Sequence, residues 1–254
     1  MGAMEPKDRV LAETFDGQAE KFELAHLQSD VGALTRLVAF AGFPAGSKIL
    51  DAGCGPGLVA ESFLEAGHLV HGVDLSAEMV RRARERCVRF GTRATFAQGS
   101  VLELAAEVPF DAAVSRLVVH HVPDAFAFVM AQVRHVRPGG ALVLCDHTTD
   151  PDRERARWHN EIERDRDHSH ARSLSPGELL DLLVRAGLES IRYSEEWHEL
   201  DFDEWFDRGT AVLSKADVRS KLLAGSARGF APSLRPDGGI VIRGCWAMLG
   251  GVKH

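Results

Sequence analysis

The sequence holds only four cysteines, Cys54, Cys87, Cys145 and Cys245, and no two of them form a CxxC pair. That scatter argues against a disulfide framework or a cysteine zinc site and fits a reducing compartment, so a cytoplasmic location is expected. No apolar run approaches the roughly 20 residues a membrane-spanning helix needs, and no secretory leader is recognisable. Positive charge is also short: 30 Lys and Arg stand against 37 Asp and Glu, a formal net charge of −7. A general nucleic-acid binder carries a basic face, so nucleic acid is set aside as a partner, and so is a membrane. There is no internal repeat and no low-complexity tract. A chain of 254 residues can bury one substantial core.

What is present is alternation. Short apolar runs at 47–51, 68–74, 94–98, 111–115 and 141–146 are separated by amphipathic stretches, the pattern of a parallel sheet covered by helices. Ser76 reads as a helix N-cap, and Pro123-Asp124 opens a further helix. Arg137-Pro138-Gly139-Gly140 is a stop signal before the fifth strand. Ser175-Pro176-Gly177-Glu178 has an N-cap, a first-turn proline and a capping-box glutamate in order. Later, 188–195 and 239–250 read as two strands forming an antiparallel pair at the sheet edge, with two short helices between them.

Asp51-Ala52-Gly53-Cys54-Gly55-Pro56-Gly57 is the most informative heptad. Glycines at a strand-to-helix turn let the backbone approach a ligand closely. A dinucleotide site normally reads GxGxxG, but here Leu58 stands where the third glycine belongs. Asp51, two residues before the first glycine, would repel a pyrophosphate and suit a cationic amino acid moiety. Asp74 ends the next strand, where a carboxylate can accept two hydrogen bonds from a ribose diol. The pair favours S-adenosylmethionine (SAM) over NAD.

From about Phe15 to Thr148 the chain resembles the class I SAM-dependent methyltransferases, in particular the ubiquinone/menaquinone-biosynthesis-type C-methyltransferases and their small-molecule relatives. The resemblance rests on Asp51 to Gly57, Val73-Asp74-Leu75-Ser76, His120-His121-Val122-Pro123-Asp124 and Arg137 to Gly140. It implies an α/β, Rossmann-like fold: a mostly parallel seven-stranded sheet with helices on both faces and a helical lid. It further implies contacts from Asp51 and Gly53 to the methionine part and from Asp74 to the ribose, with Gly55 and Leu75 also cofactor-binding. Met79 and the turn Gly99-Ser100 would flank the adenine, with Arg116 at the site's edge. S-adenosylhomocysteine would be the product. One domain is expected, with residues 1–45 as an N-terminal cover and 147–173 plus 197–235 as lid and acceptor-site insertions.

Ligands of open α/β sheets bind beyond the carboxyl ends of the strands, which makes the residues there acceptor-site candidates. A histidine near neutral pKa can take a proton from a hydroxyl, an amine or an acidic carbon, so His121 and His147 are the catalytic candidates. Phe22, His120, Arg166, His170 and Arg172 are candidate acceptor contacts. The stretch Glu163 to Arg172 has two readings: a solvated helix end, or a clamp in which Arg166 or Arg172 holds a carboxylate or phosphate of the acceptor. No metal site is expected, since His168 and His170 lack a specified third ligand. The sequence Asn-Pro-Pro-Tyr of many amino-methyltransferases is absent, and Ser115-Arg116-Leu117-Val118 stands in its place. The expected function is therefore methyl transfer to carbon, oxygen or nitrogen of a small molecule, by a monomer or homodimer. A second reading keeps SAM bound but catalyses hydrolysis, decarboxylation or rearrangement.

Overall fold

The computed structural model describes the backbone of residues 6–24, 29–105 and 109–254, and the side chains of these except 6–7 and 20–24. Two helices, α1 (Pro6–Leu24) and α2 (Val31–Ala41), precede the sheet. Then strands and helices alternate: β1 (Lys48–Ala52), α3 (Leu58–Glu65), β2 (Leu69–Asp74), α4 (Ala77–Arg86), β3 (Ala94–Gln98), β4 (Phe110–Arg116), α5 (Ala125–His135) and β5 (Val136–His147). The last third adds α6 (Arg153–Arg166), α7 (Pro176–Arg185), β6 (Leu188–Asp201), α8 (Phe202–Arg208), α9 (Lys215–Leu223), β7 (Phe230–Leu234) and β8 (Ile240–Lys253).

The strand order is β3-β2-β1-β4-β5-β8-β6, with β1 to β5 parallel and β8 antiparallel to both neighbours. Chain direction across the sheet therefore reverses between β1 and β4, which opens the crevice where such sheets bind ligands. Side chains alternate across each strand, so Leu50 and Ala52 of β1 enter one core with α5 and α7, while Ile49 enters the other with α2, α3 and α4. Each fully buried leucine of this kind contributes about 1.5–3 kcal/mol.

Local signals set the helix starts. Ser76 accepts from the amide of Met79, Asp124 from that of Ala127, and Ser175 with Glu178 forms the expected capping box. The sheet has eight strands rather than seven. The additional strand, β7, pairs with β8 alone, Phe230 to Leu234 against Gly244 to Ile240. Pro232 is tolerated there, since an edge strand needs no amide on its open side. The residues read as a stop, Arg137 to Gly140, lie within β5 as an irregularity: pairing with β4 jumps from Val136 to Ala141.

β7 takes over where β5 ends. β5 pairs with β8 from Val252 back to Trp246, and β7 continues along the same edge from Gly244. A third core cluster, including Ile162, Phe202, Trp205, Leu222 and Phe230, fastens α6, α8 and α9 over this junction.

Candidate active site

Two adjoining cavities open at the carboxyl ends of the parallel strands. The first is walled by the β1–α3 turn, the end of β2, the turn after β3, the end of β4 and α1. The glycine turn is tied down by hydrogen bonds from the Gly53 and Cys54 amides to Val73 O, at 2.8 and 3.1 Å. Gly53 has φ of +74°, and a Cβ there would lie 2.6 Å from Val118, so both its conformation and its surroundings require glycine. Asp74 is the hub of the turn: Oδ2 accepts from the Gly55 amide at 2.8 Å and Oδ1 from the Ser76 amide at 2.9 Å.

Asp51 is 1% exposed, and its Oδ2 has no hydrogen-bond partner among the described residues. Burial, and secondarily the charge of Asp74, pushes its pKa up to about 7. A buried carboxyl oxygen left unsatisfied at a glycine turn suits a cationic group arriving from outside the chain. Gly53, Gly55, Asp74, Leu75, Met79, Gly99, Ser100 and Arg116 line this cavity, whereas Asp51 is buried beside the turn and is not among its lining residues. Ser100 Oγ accepts from the Leu102 amide at 3.3 Å, and Met79 is buried. α1 covers the mouth with Asp8, Leu11 and Phe15. Asp16, one residue on, accepts from Ser76 Oγ at 2.5 Å and from the Glu78 amide at 3.1 Å, clasping the cover to the start of α4.

The second, smaller cavity shares Leu117 and His121 with the first. Leu117 has φ of +59°, a strained value for a leucine, and is held by its amide bond to Cys145 O at 2.8 Å. That bend turns the Val118 and Val119 amides onto Asp146 Oδ2, at 3.0 and 2.7 Å. Asp146 Oδ1 accepts from the His147 amide at 2.8 Å and from His120 Nδ1 at 2.5 Å. With Nδ1–H donated to a carboxylate, His120 keeps Nε2 as an acceptor. Burial alone would lower the His120 pKa, but the charge and hydrogen bond of Asp146 outweigh it and hold it above the usual value.

The neighbouring histidines titrate the other way. Burial, reinforced by His120, drives His121 down to about 3, and its Nδ1 lies 3.1 Å from both Ser169 O and Ser169 Oγ. His147 is held well below the usual range by burial and by His120 and His198, and His170 mainly by burial. His170 Nε2 donates to Asn160 Oδ1 at 2.8 Å. Arg166 donates through Nε to Trp205 O at 2.8 Å and lies 3.5 Å from Glu163 Oε2.

His120, His121, His147, Arg166 and His170 thus come together around the second cavity. Arg172 does not: it pairs with Glu178 on the surface and lines neither cavity. Phe22 lies in α1, with its side chain outside the described residues. His168 turns away to Thr14 and Thr210. Among the described residues no group of three His, Cys, Asp or Glu is placed to hold a metal ion. His198 and Arg208 are among the residues of this cavity that escaped the sequence reading, whereas Asp146 stood with His147 at the fifth strand's end among its acceptor-site candidates.

A glycine turn after β1 faces an acidic β2 end, on a sheet closed by an antiparallel strand between β5 and β6, a Rossmann-like α/β arrangement. Residues 49–140 match the family model of a methyltransferase domain. Over 103 residues it is 40% identical to the ubiquinone biosynthesis O-methyltransferase of Xanthomonas axonopodis, a stretch covering 40% of this chain and 43% of that protein. The chain thus spans less than half the length of the curated relatives it matches. In three dimensions it is similar to the YcgJ protein of Bacillus subtilis, with a TM-score of 0.79 at 24% identity, covering 88% of this chain and 98% of that one. It is also similar to the geranyl diphosphate C-methyltransferase of Streptomyces coelicolor, solved with Mg2+, geranyl diphosphate and S-adenosyl-L-homocysteine, with a TM-score of 0.67 at 14% identity over all of both chains. At such identities the likeness establishes the fold. No helix among the described residues is long and apolar enough to cross a membrane.

Proposed function

We propose that the protein is a SAM-dependent methyltransferase acting on a small molecule, with S-adenosylhomocysteine as product. The observation that carries this is the buried Asp51 carboxyl with an unsatisfied oxygen, set beside the glycine turn and Asp74. Asp51 and the Gly53–Gly55 turn hold the methionine part, Asp74 the ribose, and Met79, Gly99 and Ser100 flank the adenine. When bound, SAM supplies an electrophilic methyl group on a sulfonium.

The second cavity receives the acceptor. Alignment and exclusion of water are the chief needs of an in-line displacement, with a base wherever the nucleophile carries a proton. Among the candidate histidines His120 has the geometry of that base, because Asp146 orients it and favours its protonated form. His121 and His147, at their depressed pKa values, bind and wall the acceptor instead. The acceptor's proton passes to His120 Nε2. α1 is the cover, and the segments 147–173 and 197–235 form the acceptor side of the site.

Calorimetry with SAM, S-adenosylhomocysteine and NAD, followed by assays for S-adenosylhomocysteine formation with panels of small acceptors, tests the reading. Binding of both adenosyl ligands and acceptor-dependent product is expected. Preference for NAD, or acceptor turnover without consumption of SAM, overturns it.

A further inference from the structure

The methyltransferase reading leaves one wall of the second cavity unused, the wall formed by α8, β6 and β8. Arg208, the last residue of α8, is only 8% exposed and presents its side chain to this cavity. Opposite it, His198 of β6 folds across Gly244 of β8, its cross-strand partner. A Cβ at Gly244 would lie 2.3 Å from His198 Nε2, so the missing side chain is what admits the imidazole. Both ring nitrogens of His198 are buried and have no hydrogen-bond partner among the described residues. Buried polar atoms are ordinarily satisfied, and a pair of orphans on one ring facing a cavity marks the place of a missing group.

We infer that this wall, Arg208 with His198, is a binding site for an anionic group of the acceptor, a carboxylate or a phosphate. The inference rests on the methyltransferase reading of the adjoining cavity. Two acids of the cavity have partners of their own, while Glu204 also acts on Arg208. Glu163 faces Arg166, His159 and the Trp205 indole N–H, and Asp167 accepts from Ser169 and Thr210. Burial and then the neighbouring Arg166 push Arg208 down to about 10, the mark of a cation held where positive charge is costly. An arriving anion relieves both effects and accepts hydrogen bonds from the guanidinium and from an N–H of His198.

The site also orients the acceptor. Imidazole rings step across the cavity from His198 to His147, 6.0 Å between centroids, and from His147 to His120, 5.1 Å. With the anion at Arg208, the reacting atom lies at the His120 end, beside Leu117 and His121, where the two cavities meet. The acceptor is therefore a compact acid whose proton-bearing nucleophile stands several bonds from its negative charge.

The test uses the full chain loaded with S-adenosylhomocysteine. Inorganic phosphate and acetate are titrated separately, followed by calorimetry and by nitrogen NMR of the histidine rings. Saturable binding of at least one anion is expected, with the His198 resonances moving. Arg208→Gln should weaken it by about tenfold or more, with Arg208→Lys intermediate, since a buried charged hydrogen bond is lost in the first and partly kept in the second. Phosphate preference assigns a phosphoester acceptor, and acetate preference a carboxylic acid. If neither anion binds at millimolar concentration, or if both Arg208 variants and His198→Ala bind as the wild type does, the inference is wrong. Affinity for S-adenosylhomocysteine, measured on the same samples, reports separately on the methyltransferase reading. Should Arg208→Gln fail to fold, Arg208→Lys and His198→Ala decide.

Discussion

His120 Nδ1 lies 2.5 Å from Asp146 Oδ1, joining the turn after β4 to the end of β5. The same carboxylate takes three backbone amides, from Val118, Val119 and His147. One buried acid therefore closes two adjacent strand ends and aims one imidazole across the acceptor cavity.

A pH profile follows from this pair. His120 must be neutral to accept a proton, and its pKa is raised, with Asp146, Glu163 and Asp167 raising it and burial and the rings of His121, His147 and His170 crowding it. Acceptor kcat/KM should rise with pH through a value above 6.5 and then level off. Asp146→Asn should move that limb to lower pH and reduce kcat by about 10²–10⁴. A limb that stays in place in Asp146→Asn would remove His120 from the role of base.

Asp51 links pH to the cofactor as well. Its folded pKa of about 7 exceeds the ordinary carboxylate value of 3.8, so between the two the folded chain holds a proton that the unfolded chain releases. Stability of the ligand-free protein should fall as pH rises across that window, while affinity for cationic SAM should grow as Asp51 ionises. Asp51→Asn should flatten both dependences and weaken SAM binding by about 1–3 kcal/mol. Melting curves and titrations at pH 5, 6, 7 and 8 check both at once; a pH dependence that persists in the variant assigns the effect elsewhere.

Gly244→Ala separates the two cavities. The new methyl displaces His198 and leaves the glycine turn of β1 untouched. Acceptor kcat/KM should drop by about tenfold or more through misplacement, with S-adenosylhomocysteine affinity unchanged. Equal losses for both ligands would show that β8 had been distorted as a whole.

The cover can be loosened at Asp16. Asp16→Ala removes the two hydrogen bonds that hold α1 to the start of α4, a loss of about 0.5–2 kcal/mol by analogy with helix caps. Hydrogen exchange of α1 should accelerate and the dissociation rate of SAM should increase, with little change in global melting temperature. An unchanged dissociation rate would show that α1 is not in the ligand's path.

The first cavity's lining was legible because its information is local. Asp51 to Gly57 and Val73 to Ser76 are short, contiguous signals, and the helix caps at Ser76, Asp124 and Ser175 sit next to the helices they start. The acceptor half is assembled from distant segments. His120 and Asp146 are 26 positions apart, Arg208 arrives on an eight-stranded sheet's outer helix, and His198 matters only because Gly244 faces it. The Arg166 to Arg172 stretch divides for a backbone reason. α6 ends at Arg166, and the amides of Ala171 and Arg172 both bond to His120 O, which leaves Arg172 to pair with Glu178 outside. β7 carries Pro232, whose meaning depends on whether the strand is central or at an edge.

β8 is gripped along one edge by β6 and along the other by β5 and then β7. Its residues 240–244 pair with β7 and bring Gly244 to the second cavity, while 246–252 brace the strand that carries Asp146. The strand therefore works as a common ruler for both halves of the site. Deleting a single residue near Cys245 would invert the facing of everything beyond it and put donor and acceptor out of step, even where every side chain named above is intact.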